Sequence, residues 1–179
     1  MSGEQEPGGA GWYAVYTRAR HEKRVERLLV ERGLETYLPL LRRVSRWSDR
    51  HQLVAWPVFP SYVFARFRRS DLHRILEVPG VARVVGPEGD ITPIRPEELE
   101  NVRRFVDALA GTGLRPRAVA LFAAGDWVEV TEGPFAGVFG QVVAHRTGRR
   151  VLVGLPSLGV GLSVNLREAA LRALPDGPP

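Results

Sequence analysis

Residues Trp12–Tyr16 read WYAVY, an aromatic and β-branched run that predicts a buried strand. From about Ala19 the apolar period lengthens to that of a helix. Val25, Leu28 and Leu29 form one stripe, and Gly33 is a natural stop. Leu34–Leu38 alternates like a strand and ends at Pro39, whereas Leu40–Gln52 is polar and arginine-rich, an exposed loop or hairpin. Val54–Phe67 again has strand composition, with Pro57 and Pro60 confined to strand ends or an edge. Ser70 is placed to N-cap a short helix, Asp71–Glu77, which must stop before Pro79 and Gly80, and Val81–Val85 is another strand. Pro96 opens a second long helix, with Glu97 and Glu98 in its first turn and Leu99, Val102, Val106 and Leu109 as its buried stripe. This order predicts an α+β sandwich, an antiparallel sheet with helices packed on it.

The texture then changes. Gly111–Arg117 (GTGLRPR) combines Gly, Pro and charge, so residues 111–122 are expected as a linker. After Gly125 the chain is all-β. Trp127–Val130, Gly140–Ala144, Val151–Leu155 and Leu162–Asn165 are short strands separated by turns, a spacing that suits a small curved barrel over residues 123–174. The expected organisation is a flexible tail (1–11), an α+β domain (12–110), the linker, the barrel and a short C-terminal tail (175–179).

Length and composition narrow the function. A chain of 179 residues suits one medium domain or two small ones, and 44% hydrophobic residues support a core. With no cysteine, disulfide scaffolds, thiolate metal sites and cysteine nucleophiles are excluded. No apolar run reaches the ~18 residues of a membrane-spanning helix. The polar N-terminus lacks the apolar core of a signal peptide, so a cytoplasmic, membrane-free protein is expected. His21, His51, His73 and His145 are scattered without metal-type spacing, and no P-loop, nucleophile elbow or dinucleotide fingerprint occurs. Asp71 and His73 stand two apart, a spacing that does not face them together on a helix. No catalytic residue, metal or cofactor is expected.

What remains is surface chemistry. The formal charge is +5, and Lys23 is the only lysine among 25 cationic side chains. On the first helix Arg20, Lys23, Arg24 and Arg27 fall opposite the apolar stripe, either a solvated face laced with ion pairs or a phosphate-tracking stripe. Leu40–Gln52 holds Arg42, Arg43, Arg46 and Arg50 around Trp47, a set able to hold phosphates and stack a base. Trp12, Tyr13, Tyr16, Phe59, Tyr62 and Phe64 make the first sheet unusually aromatic. Most such residues are core, yet alternation leaves Tyr16, Tyr62 and Phe64 able to line a groove for a partner's helices. In Gly133-Pro134-Phe135-Ala136-Gly137, Phe135 sits near the tip of a forced turn. It either folds inward as core or stays out as an anchor, and local physics does not choose.

Taken in order, WYAVY, R-x-R-H-E-K, YLPL, FPSYVF and VPGVARVVG resemble the N-terminal domain of NusG-type transcription factors, and GDWVEVTEGPFAGVFGQV resembles their C-terminal KOW motif. The resemblance runs from Trp12 to about Leu174. It implies a factor, expected as a monomer, that docks on the clamp helices of the largest catalytic subunit of RNA polymerase and suppresses pausing. It also implies a basic face near the non-template DNA strand at the upstream fork. The KOW barrel would recruit the termination factor Rho or a small-subunit ribosomal protein. Carried onto this chain, the polymerase contacts are Trp12, Tyr16, Phe59, Tyr62 and Phe64. His73 matches the histidine of a histidine-threonine-threonine motif, although Arg74 and Ile75 replace the threonines. The DNA side is Arg18, Arg20, His21, Lys23, Arg24, Arg42, Arg43, Arg46 and Arg74, and the KOW contacts are Phe135 and Val138. R-H-E-K, YLPL and RWSDR look more like operon-specific UpxY- and RfaH-type paralogues than the general factor. A KOW half from a ribosomal protein is a further alternative, against which the aromatic N-terminal half argues.

Some RfaH-type members hold the C-terminal domain as a helical hairpin that masks the polymerase groove. Here Val151–Leu162 contains Pro156, at roughly 3 kcal/mol inside a helix, and Gly154, Gly159 and Gly161 at about 1 kcal/mol each. A permanent barrel is therefore expected, with the groove unmasked and Phe135 free to recruit a partner.

Overall fold

The computed structural model describes residues 9–46, 51–86, 90–110, 112, 114, 116–120, 126–145, 148–165 and 171–177. The chain divides into two compact units, Met1–Pro39 with Phe59–Arg95, and Leu40–Val58 with Pro96–Pro179. Among the described residues no helix is long and apolar enough to cross a membrane.

In the first unit, β1 (Gly11–Thr17) lies inside an antiparallel sheet. On one side it pairs with β5 (Tyr62–Phe67), which pairs in turn with β2 (Glu35–Tyr37). Its other side is shared by β6 (Val81–Val84) and the two-residue β7 (Pro93–Ile94). Gly11, expected in the tail, opens β1 opposite Phe67. Helix α1 (Glu22–Glu31) packs against β2 and β5. Val25 and Leu29 are fully buried, Leu28 is half-buried, and Lys23, Arg24 and Arg27 are exposed, as the stripe requires. The second helical segment differs from expectation. A 3-10 turn (Arg69–Asp71) leads into α2 (Leu72–Leu76), and Ser70 lies inside that turn, so it does not cap the helix. Tyr13 and Phe67 pack with ring centroids 4.6 Å apart, and Val15, Val63 and Phe64 are wholly inaccessible. Each such side chain contributes about 1.5–3 kcal/mol by leaving water.

The second unit begins with a hairpin, β3 (Leu40–Arg46) and β4 (His51–Pro57), in continuous register from Leu40↔Pro57 to Arg46↔His51. Trp47 and Arg50 lie outside the described residues, as do the side chains of Arg43 and Arg46. Helix α3 (Pro96–Leu109) follows. A six-stranded sheet completes the unit, formed by β8 (Arg117–Ala120), β9 (Asp126–Val130), β10 (Phe139–His145), β11 (Gly148–Leu155), β12 (Val160–Asn165) and β13 (Leu171–Ala173). Its strand order is β13-β9-β10-β11-β12-β8. Val151–Leu162 is strand, turn and strand: β11 and β12 pair directly, Pro156–Leu158 forms a 3-10 turn, and Gly159 takes φ +65° to close it. Of the residues that oppose a helix, Pro156 and Gly159 make this turn, and Gly154 and Gly161 pair across the two strands.

Two boundaries differ from expectation. Residues 117–120 are not linker, because β8 pairs with β12 and satisfies that strand's open edge. Helix α3 groups with the barrel, against β11 and β3, so the compact units do not follow the expected division at residue 110.

Candidate functional site

Tyr16 and Tyr62 stand directly opposite each other in the β1/β5 ladder. Their rings meet edge to face at 5.3 Å and 78°, and both remain half-exposed. Arg83, opposite Tyr16 on β6, places its guanidinium carbon 5.3 Å from the Tyr16 ring centroid. A cation over an exposed ring contributes about 0.5–1 kcal/mol and fixes the ring's orientation. Burial pushes the Tyr62 hydroxyl above its ordinary pKa, the neighbouring Tyr16 reinforces this, and Arg83 partly opposes it. The hydroxyl is therefore protonated at neutral pH and available as a donor.

The frame under this pair is backbone. Thr17 N–H donates to the Ser61 carbonyl at 2.8 Å, and Arg18 N–H donates to the Gly80 carbonyl at 2.9 Å. Ser61, held at φ +66°, donates its own N–H to Glu22 Oε1 at 2.8 Å. Glu22 is only 6% exposed, and sequence reasoning missed it. Its signal is an acid in a helix's first turn, which is ordinarily read as dipole compensation. Gly80 has φ +105°, and a Cβ there would lie 3.0 Å from Val25 Cγ2 and 3.2 Å from His21 Cδ2. Gly80→Ala should therefore destabilise the first unit by about 1–3 kcal/mol, read as a lower midpoint in thermal or urea unfolding.

The remaining aromatic candidates are not on this surface. Phe64 is fully buried, stacked on Tyr37 at 6.1 Å and edge-on to Phe59 at 5.9 Å. Trp12 and Phe59 are buried as well. Alternation puts Tyr62 and Phe64 on one face of β5, but Phe64 is flanked by Ala14 and Tyr37 and is sealed where Tyr62 is open. Of the expected groove residues Tyr16, Tyr62 and Phe64, only the two tyrosines reach the surface, with Arg83 beside Tyr16.

Of the basic candidates, Arg18, Arg20, Lys23 and Arg24 are exposed around the start of α1, with Arg20 at φ +64°. His21 is half-buried there, its Nδ1 3.0 Å from the Ala19 carbonyl. Arg27 is tied to Glu31 at 3.7 Å. Arg74 and His73 are exposed on α2, and Arg74 makes a 3.8 Å ion pair with Asp71. Exposed pairs of this kind are weak, so these cations can exchange a carboxylate for phosphate at little cost. Arg42 is exposed on β3, in the second unit.

The barrel's candidate residues fold inward. The turn after β9 closes with Val130 N–H donating to the Val138 carbonyl and Gly137 N–H donating to the Val130 carbonyl, both at 2.8 Å. Phe135 is 3% exposed and Val138 2%. Phe135 packs on Phe105 of α3, ring centroids 5.4 Å apart. Two polar clamps flank the rings. Asn101 Nδ2 donates to the Phe139 carbonyl at 2.7 Å, and Phe139 N–H donates back to Asn101 Oδ1 at 3.0 Å. Ser157 Oγ donates to Glu98 Oε2 at 2.7 Å. Glu98, Asn101 and Phe105 lie on one helical face at i, i+3 and i+7, next to the Leu99/Val102/Val106/Leu109 stripe. The expectation of a free Phe135 is overturned: α3 covers it.

The family described as "Transcription termination factor nusG" matches residues 10–103, just over half of the chain. The transcription termination/antitermination protein NusG of Deinococcus radiodurans is 31% identical over 170 residues, covering 80% of this chain and 90% of the relative. That of Pseudomonas aeruginosa is 29% identical over 143 residues, covering 73% and 79%. Among solved structures, one described as "Domain interaction in Thermotoga maritima NusG" superposes with a TM-score of 0.50 at 21% identity, covering 91% of this chain and 96% of that one. This last likeness is one of fold.

Proposed function

The chain belongs to the NusG family of transcription termination/antitermination factors, and from that premise we propose that it binds transcribing RNA polymerase through Tyr16 and Tyr62. The observation that carries this reading is the half-exposed tyrosine pair at one end of the β1/β5 ladder, whose other aromatics, Trp12, Tyr13, Phe64 and Phe67, are buried. Two flat rings with a guanidinium beside them suit an amphipathic helical partner, apolar against the rings and acidic toward Arg83. The partner is the clamp helices of the largest catalytic subunit, and the effect is suppression of pausing and termination. The test is a purified elongation assay in which the full chain shortens dwell times at pause sites. An unchanged dwell time at saturating protein rejects the reading.

Arg18, Arg20, Lys23 and Arg24 on the first unit, and Arg42, Arg43 and Arg46 on the hairpin, are proposed to meet DNA near the upstream fork. Such contacts are electrostatic, so affinity should fall with salt in proportion to the phosphates engaged. Reversing Arg42, Arg43 and Arg46 to Glu should reduce crosslinking to the non-template strand and flatten the salt dependence. Unchanged crosslinking would make the hairpin a solvated surface.

Phe135 and Val138 are proposed to recruit a second protein, Rho or a small-subunit ribosomal protein, once α3 leaves them. The motifs R-H-E-K, YLPL and RWSDR favour a specialised antiterminator acting on particular operons. The shared name of the relatives favours the general factor as the second reading. A polymerase-occupancy profile with and without the gene separates them, since loss would alter a few long operons in one case and most genes in the other.

A further inference from the structure

We propose that Glu22 is a positioning residue for the tyrosine pair: through the Ser61 amide it holds the turn that delivers Tyr62 to Tyr16. The proposal deepens the polymerase reading and rests on it.

The turn is Phe59–Tyr62, closed by Tyr62 N–H donating to the Phe59 carbonyl at 3.2 Å. Pro60 stands at its second position and Ser61 at its third, with φ +66°. Proline at the second position and positive φ at the third mark a type II turn, whose third residue is ordinarily Gly or Asn. Serine carries a Cβ, so it meets a steric cost there that glycine avoids. Among the described residues, only Arg20 and Ser61 take positive φ without being glycine. In the alternative type I turn the central peptide is flipped and the third residue returns to negative φ, which suits serine. Local preference therefore opposes the conformation that Ser61 adopts.

Two bonds from outside the turn override that preference. The Ser61 N–H, which the flip would turn over, donates to Glu22 Oε1 at 2.8 Å. The Ser61 carbonyl accepts from Thr17 N–H, also at 2.8 Å. Thr17 follows Tyr16 in β1 and Ser61 precedes Tyr62 in β5, so one residue ties together the backbone behind both rings. Glu22 is 6% exposed and Thr17 1%, which leaves little water to replace either partner. What the turn needs from Glu22 is an acceptor oxygen at that place, and a neutral amide supplies one as well as a carboxylate.

The experiment measures affinity of the full chain for a reconstituted elongation complex, with NMR of the Ser61 amide and the Tyr62 ring and thermal unfolding on the same samples. Glu22→Leu removes the acceptor, and should weaken binding by about tenfold and shift both NMR signals. Glu22→Gln keeps the acceptor and should match wild type in both. Ser61→Gly should bind as wild type does. Combined with Glu22→Leu it should restore most of the lost affinity and of any lost thermal midpoint, because glycine holds positive φ unaided. A residue that merely supported the fold would lose the same factor whichever residue stood at position 61. Full-strength binding by Glu22→Leu, a glutamine variant as weak as the leucine one, or no rescue by Ser61→Gly would each overturn the proposal. If Tyr16 and Tyr62 proved dispensable for polymerase binding while Glu22→Leu still shifted the Tyr62 signal and Ser61→Gly reversed the shift, the polymerase reading would fail and the hold on the turn would stand.

Discussion

Replacing Tyr16 and Tyr62 together with alanine is expected to lower affinity for a reconstituted elongation complex by roughly thirtyfold or more, since an aromatic anchor typically contributes about 2 kcal/mol or more on truncation. The loss should appear with the first unit still folded. Both rings are half-exposed, and their main mutual contact is a single edge-to-face pair at 5.3 Å. Fluorescence anisotropy of labelled protein with the complex measures the binding, and thermal unfolding of the same samples measures the fold. Phe64→Ala provides the contrast. That side chain is wholly inaccessible, so its removal opens a cavity worth about 3–5 kcal/mol, and it should fail by unfolding. Full-strength polymerase binding by a folded double alanine variant would remove the tyrosine pair from the interface. Arg83→Ala should give a smaller loss, since it removes only the cation over Tyr16.

Asn101→Ala is expected to release α3 from the barrel. Its side chain makes a reciprocal pair of hydrogen bonds with the backbone of Phe139, at 2.7 and 3.0 Å. Removing it leaves a part-buried donor and a part-buried acceptor without partners, a penalty of up to about 1–3 kcal/mol each unless the contact opens to water. Opening is the expected response, because it lets water reach both groups. The equilibrium should shift by at least about tenfold toward separation, seen as faster hydrogen exchange at the Phe139 amide and new solvent access at Phe135. Phe105→Ala should act in the same direction, by removing the ring that packs on Phe135 at 5.4 Å. Asn101→Asp keeps the acceptor for Phe139 N–H and loses the donor to its carbonyl, so its exchange rate should lie between wild type and alanine. Exchange at Phe139 unchanged in all three variants would show that α3 does not hold the barrel's candidate recruiting residues shut.

The elements with strong period were legible in the chain. Val25 and Leu29 specify the buried side of α1, and the same arithmetic places Lys23, Arg24 and Arg27 outside. Density of Pro and Gly in Val151–Leu162 excludes a helix there, and β11, a 3-10 turn and β12 are what form. Short pairings were not legible. β7 is two residues long and β13 three, too short for periodicity, and each exists because a long-range partner strand offers it hydrogen bonds. For β8 the Gly- and Pro-rich run just before it suggested a linker, while the edge of β12 converts it to strand.

What the sequence by itself determined is therefore local and ordinal: which of the strongly periodic segments are helix or strand, which side of α1 is basic, the absence of catalytic motifs, and the ordered motifs that carry the family. Tertiary structure alone decided exposure among chemically equal candidates. Tyr62 and Phe64 share a face of β5, yet one is half-open and the other sealed beside Tyr37. Phe135 had two local choices, and α3, some thirty residues earlier, selected the inward one by bringing Phe105 to it. Trp56, inside the strand-like run Val54–Phe67, ends 59% exposed. The physical reason is common to all three. Backbone preference acts between neighbours in the chain, whereas burial depends on which remote side chains arrive to displace water from a face.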